Sequence, residues 1–260
     1  MAIFNMVWWW GSWWGDPWYR ATQWPAPYGF HVPTKDEWVA IKDILVATFW
    51  LANNATTMGT YLKMPMTWQR NYRNANADSV GSNGDYWSST SYNNANYAYN
   101  LHFWSSDVWP QKYSNRSYGF SVRCFKNIPV IPTSSWTTLY QGSWSAWVFY
   151  NASFWLISVS RDGTTWYTIQ DKNLWATTVF NQWDTLTDAN CWYFYQWGNN
   201  YWFPHSWTVT TSSTQVNAEN YWPWNYYNSS TFITRTSSPY DWSNVRNDNL
   251  RWWVTWNVPV

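Results

Sequence analysis

Gly29-Phe30-His31-Val32-Pro33-Thr34-Lys35-Asp36-Glu37-Trp38 (residues 29–38) holds an extended entry and the first turn of a helix. Pro33 disfavours helical backbone at Val32, so the chain arrives extended. Thr34 then opens a capping box: its hydroxyl accepts from the Glu37 amide while the Glu37 carboxylate reaches back to the Thr34 amide. Behind it Trp38, Ile41, Leu45 and Phe49 recur at helical spacing, with Lys35, Lys42 and Asp43 on other faces. The spacing predicts an amphipathic helix of about four turns packed on a core.

Downstream the texture changes. From residue 71 to 117 Asn, Ser, Tyr and Asp make up more than half of the stretch. Segments 86–90, 97–103 and 118–125 alternate, and Gly81, Gly84 and Asn-rich stretches separate them, which reads as short antiparallel strands joined by long polar loops. Ile128-Pro129-Val130-Ile131-Pro132 has the composition of a linker. Residues 156–159 and 166–169 flank Arg161-Asp162-Gly163, a hairpin signal. Residues 205–245 predict loops and short strands.

The composition is inverted. The 260 residues hold 30 tryptophans and only 10 glycines, where ordinary usage gives Gly about 7%. Many of the tryptophans stand in turn contexts: Trp8, Trp9 and Trp10 together, then Trp13, Trp14 and Trp18 among Gly, Ser, Asp and Pro, and Trp252, Trp253 and Trp256 near the end. Turns ask for residues that take positive φ at no steric cost, which means glycine. The expectation is that many of these positions are UGA codons decoded as glycine but written as tryptophan. A real aromatic surface that stacks on sugar rings is the alternative.

Charged residues are 11% and net charge is +1, so nothing favours nucleic acid or an anionic membrane. The longest apolar run, 44–52, is too short to span a bilayer. Residues 1–7 lack the basic and apolar regions of a signal peptide, so either export is not used or the start lies upstream.

Several strings together resemble the Fibrobacter major paralogous domain family, a relative of formylglycine-generating enzymes within the C-type-lectin-like fold. Residues 29–38 are similar to its G-[WF]-H-[LV]-P-T-x-x-E-W element. Tyr86-Trp87-Ser88-Ser89-Thr90 and Tyr118-Gly119-Phe120-Ser121-Val122-Arg123-Cys124 are similar to its YWSS-T and GFSVRC elements. Asp171-Lys172-Asn173-Leu174-Trp175-Ala176-Thr177 and Tyr195-Gln196-Trp197-Gly198 resemble its D-[RK]-N-L-G-A-T and Y-Q-W-G strings. The resemblance implies an α+β fold: a small twisted antiparallel sheet, flanking helices and long polar loops. The order of the strings is inverted, so residues 1–127 read as the C-terminal half of one repeat, 128–136 as a linker and 137–260 as the N-terminal half of a second, cut from a tandem array. The halves could join as a circular permutant or swap with neighbours. Trp38, Trp87 and Trp197 fall where the family has tryptophan, and Trp166 and Trp242 are expected to be genuine as well. Trp24, Trp68, Trp175, Trp192 and Trp202 fall where it tends to have glycine.

Catalysis of the formylglycine-generating type needs paired cysteines that hold copper, and the matching stretch offers only Cys124, with Ala26 where many relatives carry its disulfide partner. No enzyme activity is expected, and no cofactor or metal. A buried free thiol is the expected state of Cys124. His31, His102 and His205 have no zinc-ligand spacing, and no G-x-S-x-G string supports a serine triad. Asn247-Asp248-Asn249, and Asp184 with Asp188 and Asn190, could offer oxygens to Ca²⁺ but read as solvated turns.

Function is therefore sought in the Tyr-rich region before the GFSVRC string, since Tyr supplies rigid contact area and Asn and Ser adaptable hydrogen bonds. Candidate ligand-binding residues are Tyr92, Asn93, Asn94, Asn96, Tyr97, His102, Asp107, Tyr113 and Asn115, on or beside predicted loops. Their mixture resembles the product of adenine mutagenesis at Asn codons in a diversity-generating retroelement target. The expected protein is an extracellular or cell-surface binder of a protein or glycan. A structural or adhesive repeat without a specific ligand is the alternative, and a degenerate formylglycine-generating-type enzyme the weakest one.

Overall fold

Thr34 caps the first helix as its sequence predicts, in a computed structural model that describes residues 26–27, 29–79, 81–92, 96–142, 146–191, 193–199, 201–204, 208–216 and 229–244. Helix α1 (Lys35–Asp43) has both arms of the capping box. The Glu37 amide donates to the Thr34 hydroxyl at 3.2 Å, and the Thr34 amide donates to Glu37 Oε2 at 2.7 Å. The helix does not stop at Asp43 but widens into a π-helical turn, Ile44–Thr48, closed by the Phe49 amide on the Ile44 carbonyl at 3.0 Å. Trp38, Ile41, Leu45 and Phe49 are all buried, and Ile44 joins their stripe. Helix α2 (Ala55–Leu62) follows, with the Asn54 side chain accepting from the Thr57 amide at 3.1 Å.

The strands form four sheets. In the largest, β1 (Phe30–His31) pairs with β8 (Phe125–Lys126), followed by β12 (Trp166–Gln170), β11 (Leu156–Ser160), β10 (Trp147–Asn151) and β9 (Thr137–Gln141), all antiparallel. The predicted hairpin is β11–β12; Asp162 closes its turn by accepting from the Thr164 and Thr165 amides at 2.8 and 2.7 Å. A second sheet runs β13 (Tyr195–Gln196), β7 (Gly119–Phe120), β2 (Gln69–Arg70), β3 (Ala77–Asp78). A third is the meander β4 (Asn83–Ser91), β5 (Tyr97–Trp104), β6 (Asp107–Asn115). Strands β14 (Thr211–Ser212) and β15 (Phe232–Ile233) pair in parallel, and α3 (Asp188–Cys191) is a single turn. The class is mixed α+β with mostly antiparallel sheets.

Two expectations are corrected. The connections in the Tyr-rich region are short: β5 and β6 are joined by Ser105-Ser106 alone. Strand β6 itself was not foreseen, because Pro110 interrupts its pattern; as the edge strand of the meander it tolerates a residue without an amide proton.

Segments on either side of residues 128–136 share the first two sheets and both main cores. Arg123 is wholly buried and donates to the Leu62 carbonyl at 3.1 Å, the Lys63 and Gln170 carbonyls at 2.8 Å, and Asn173 Oδ1 at 2.9 Å. It thus caps the C-terminal end of α2 and fastens it to the 170–173 segment. Four fully buried indoles also donate to backbone carbonyls. Trp38 donates to Trp87 at 3.4 Å, Trp87 to Tyr195 at 2.7 Å, Trp197 to Ser88 at 2.9 Å and Trp242 to Trp197 at 2.6 Å.

Candidate functional site

The third sheet carries a polar recess. Its register sets Asp85 opposite His102, Tyr97 opposite Asn115 and Tyr99 opposite Tyr113. The pleat sends Asn83 and Asp85 to one face of β4. Gly84 between them packs against Phe103, and a Cβ there would meet the Phe103 ring at 2.2 Å. A recess of about 300 Å³ opens over these strands, lined by Asn83, Asp85, Tyr97, His102, Lys112, Tyr113, Ser114 and Asn115 of the meander, with Gln69 of β2 and with Tyr72 and Tyr118 from the connections that follow β2 and precede β7.

Its floor is ordered by one buried carboxylate. Asp85 Oδ1 accepts from Asn100 Nδ2 at 2.9 Å and contacts His102 Nδ1 at 2.8 Å. The contact sets His102 Nδ1 against a carboxylate oxygen that already accepts from Asn100. The walls are tyrosines. Tyr72 and Tyr118 meet at 4.7 Å between ring centres, and Tyr97 and Tyr113 at 5.6 Å in a T-shaped pair. Tyr92 stacks on Tyr113 at 4.4 Å and meets Tyr97 and Tyr99 edge-on. Burial, with Tyr72 and Asp85 close by, pushes the Tyr118 phenol up to about 12, so it stays a hydrogen-bond donor at neutral pH.

The wall is braced from the trailing part of the chain. Arg116 is buried, donates from Nε to the Tyr97 carbonyl at 3.0 Å, lies 4.3 Å from the Trp197 ring centre and pairs with Asp241 at 3.4 Å. Tyr97 is thereby held, through Arg116, by Trp197 and Asp241 of the trailing part of the chain.

Among the nine candidate residues, Tyr97, His102, Tyr113 and Asn115 line the recess, and Tyr92 packs behind Tyr113. They stand in or next to strands rather than on long loops. Asn96 is engaged with backbone: its Oδ1 accepts from the Tyr240 amide at 3.1 Å and its carbonyl from the Arg116 amide at 3.0 Å. Asp107 lies at the opposite end of the β5–β6 hairpin. It holds the turn by accepting from the Val108 amide at 2.8 Å and Trp109 Nε1 at 2.7 Å, and it also accepts from Asn53 Nδ2. Asn93 and Asn94 lie outside the described residues, as do His205, Trp24, Trp192, residues 247–249, Trp8 to Trp18 and Trp252 to Trp256. Gln69, Tyr72, Asn83, Asp85, Lys112, Ser114 and Tyr118 were not foreseen. For Asn83 and Asp85 the alternation of β4 was an available signal.

Elsewhere, Cys124 and Cys191 are buried free thiols, and that of Cys191 donates to Asn190 Oδ1 at 3.4 Å. Burial drives the Cys124 thiol well above its ordinary range and that of Cys191 up to about 12. Among the described residues no group of three His, Cys, Asp or Glu could hold a metal, and no helix is long and apolar enough to cross a membrane. Asp184 accepts from the Asn181 amide at 2.7 Å, and Asn190 Oδ1 accepts from the Thr187 amide at 3.0 Å, so each closes a local turn.

With this geometry in view, residues 31–125 match a family described as Domain of unknown function (DUF8237). The match runs from His31 to Phe125 and so includes α1, α2, the whole meander and every residue that lines the recess. No curated protein and no solved structure gives a significant match.

Proposed function

We propose that this chain is a non-enzymatic binding protein, extracellular or at the cell surface, whose ligand docks in the tyrosine-walled recess. The observation that carries the reading is the recess itself: a floor ordered by Asp85, Asn100 and His102, and two tyrosine pairs on its rim. Tyrosines already packed against one another lose little conformational freedom on contact, and amides, Lys112 and Ser114 supply hydrogen bonds between them. Its volume suits one sugar ring or one side chain of a protein ligand, so the ligand is a glycan or a protein that enters by a single group. Ser114 pairs with Ala98, four positions along β5 from His102, so it is not placed as a nucleophile for that imidazole.

We further propose a C-type-lectin-like fold in permuted order, related to the Fibrobacter major paralogous domains. What supports this is the convergence of the five family-like strings in one core. The Trp87 indole donates to Tyr195, the Trp197 indole to Ser88 and the Arg123 guanidinium to Asn173, while Phe120 pairs with Tyr195. The trailing half then completes the leading one across residues 128–136. A structural repeat is the second reading, favoured by Asn96 and Asp107, whose side chains serve the backbone.

The test is an array of glycans and purified surface proteins probed with the intact chain and with a Tyr97→Ala/Tyr113→Ala variant. The reading expects a specific ligand whose affinity falls at least about tenfold in the variant, as for an aromatic hot spot. A ligand bound equally by both proteins would show that the recess is not the site. A neighbouring reverse transcriptase with an adenine-rich copy of residues 71–124 would favour diversified binding. Identical residues there across sibling strains would favour the structural repeat.

A further inference from the structure

We infer that the natural polypeptide carries glycine at positions 50, 155, 175 and 183, and tryptophan at 38, 87, 197 and 242. Seven described non-glycine residues have positive φ, and four of them are tryptophans: Trp50 at 58°, Trp155 at 57°, Trp175 at 68° and Trp183 at 81°. Composition alone would put about one tryptophan among the seven, and bulky side chains are disfavoured there by contact between Cβ and the backbone.

Each of the four occupies a slot that glycine fills for a definite reason. Trp50 follows Phe49, the C-terminal cap of the π-helical turn, and its left-handed backbone lets the Leu51 amide turn back to the Leu45 carbonyl at 3.2 Å. This is the position after a helix end where glycine prevails. Trp175 and Trp183 are each the third residue of a turn: the Ala176 amide donates to the Asn173 carbonyl at 2.8 Å, and the Asp184 amide to the Asn181 carbonyl at 2.9 Å. Positive φ at the third position alone defines a type II turn, which takes glycine there. Trp155 closes the four-residue loop between β10 and β11. The chain's own Gly163 and Gly198, both at 75°, show the same backbone with its usual residue.

The side chains separate the two groups as well. Trp50, Trp155, Trp175 and Trp183 are 88, 57, 42 and 83% exposed. Trp38, Trp87, Trp197 and Trp242 are fully buried, and each indole N–H has a carbonyl partner. A buried indole with a satisfied N–H is a selected residue, whereas an indole on left-handed backbone carries a strain that glycine would not, even where, as at Trp155, Lys172 lies 4.2 Å from the ring centre. Trp68 and Trp202, also family glycine positions, lack positive φ and are not included. The chemistry implied is a glycine-charged tRNA that reads UGA, with UGG kept for the buried set. The exposed rings at the four positions are then no ligand platform. This inference does not depend on the binding reading.

The decisive experiment is peptide mass spectrometry of the protein isolated from its source cells. Trypsin releases two adjacent peptides, 36–42 with Trp38 as its sole tryptophan and 43–63 with Trp50 as its sole one. The inference expects the first at the mass written and the second lighter by the difference between an indolylmethyl group and a hydrogen. Tryptophan in both overturns it, and glycine in both overturns the division into two groups. In the gene, UGA at 50, 155, 175 and 183 with UGG at 38, 87, 197 and 242 is the matching result, and UGG at the first four positions refutes it.

Discussion

Replacing Trp50, Trp155, Trp175 and Trp183 together by glycine is predicted to stabilise the chain, and Trp183 shows how the magnitude arises. Its backbone is held at φ 81° by the turn that joins Asn181 to Asp184, and its ring is 83% exposed. An L-residue in the left-handed region forfeits about 1–2 kcal/mol relative to glycine. Glycine has more freedom in the unfolded chain, which offsets about 0.4–1 kcal/mol of that gain. An exposed ring gives up little burial when removed, so the balance is roughly 0.8 kcal/mol in favour of glycine. The four sites lie in separate turns, so their effects add to at most about 3 kcal/mol, or roughly 10 °C in Tm for a chain of this size, less what the better-covered rings of Trp155 and Trp175 contribute, with Lys172 4.2 Å from the Trp155 ring centre. Thermal and urea denaturation measure this, with a fourfold alanine variant as the control. Alanine removes the rings but keeps Cβ and the backbone strain. A glycine set no more stable than the alanine set would refute the reasoning. As a contrast, Trp38→Gly empties a buried site and should cost about 3–5 kcal/mol.

Arg123→Met should destabilise by about 3–5 kcal/mol, because three carbonyls and the Asn173 side chain lose their buried donor; urea unfolding checks this. Arg123→Lys should recover little of it, since one ammonium cannot span the same acceptors. The thiols of Cys124 and Cys191, buried with raised pKa, should be inert to an aromatic disulfide reagent at neutral pH until the chain unfolds, and labelling in the native state would contradict their placement. His31 and Glu37 are 2.8 Å apart. Burial opposes the charge on each, but their mutual hydrogen bond and attraction prevail, raising His31 above 6.5 and lowering Glu37 below 4.5. A raised histidine stabilises below its unfolded value and loses that contribution as pH rises through the folded one. A lowered carboxylate stabilises above its unfolded value and loses its share as pH falls. The pair therefore contributes most between pH 4.5 and 6.5, and His31→Gln should abolish the decline in Tm on the alkaline side of that window.

Local, self-contained signals were legible in the sequence. The capping box at Thr34, the stripe from Trp38 to Phe49 and the hairpin at Asp162 each depend on residues within a few positions of one another. The π-helical turn was not legible, because widening a helix by one residue leaves the apolar stripe intact. Strand β6 was hidden by Pro110 and by its half-exposed edge position. The tyrosines of the site were found by composition, but its floor was not. Asp85 gains its role only when β5 brings Asn100 and His102 against it, and Gln69, Tyr72 and Tyr118 arrive on and beside strands of another sheet. Of the four glycine-like tryptophans, only Trp175 is singled out by the string it stands in. At Trp50, Trp155, Trp175 and Trp183 it is the backbone angle that separates them from the buried set.

The claim that the recess over the β4–β6 meander takes the ligand is tested most directly by amide NMR spectra titrated with whichever glycan or protein the array identifies. The account predicts that the first and largest shifts fall on Asp85, His102, Lys112, Tyr113 and Asn115, and that Asp85→Asn removes them. Saturable shifts centred instead on a separate hollow between α1 and the β11–β12 turn, lined by Asp43, Arg161 and Asp162, with the meander unchanged, would contradict it.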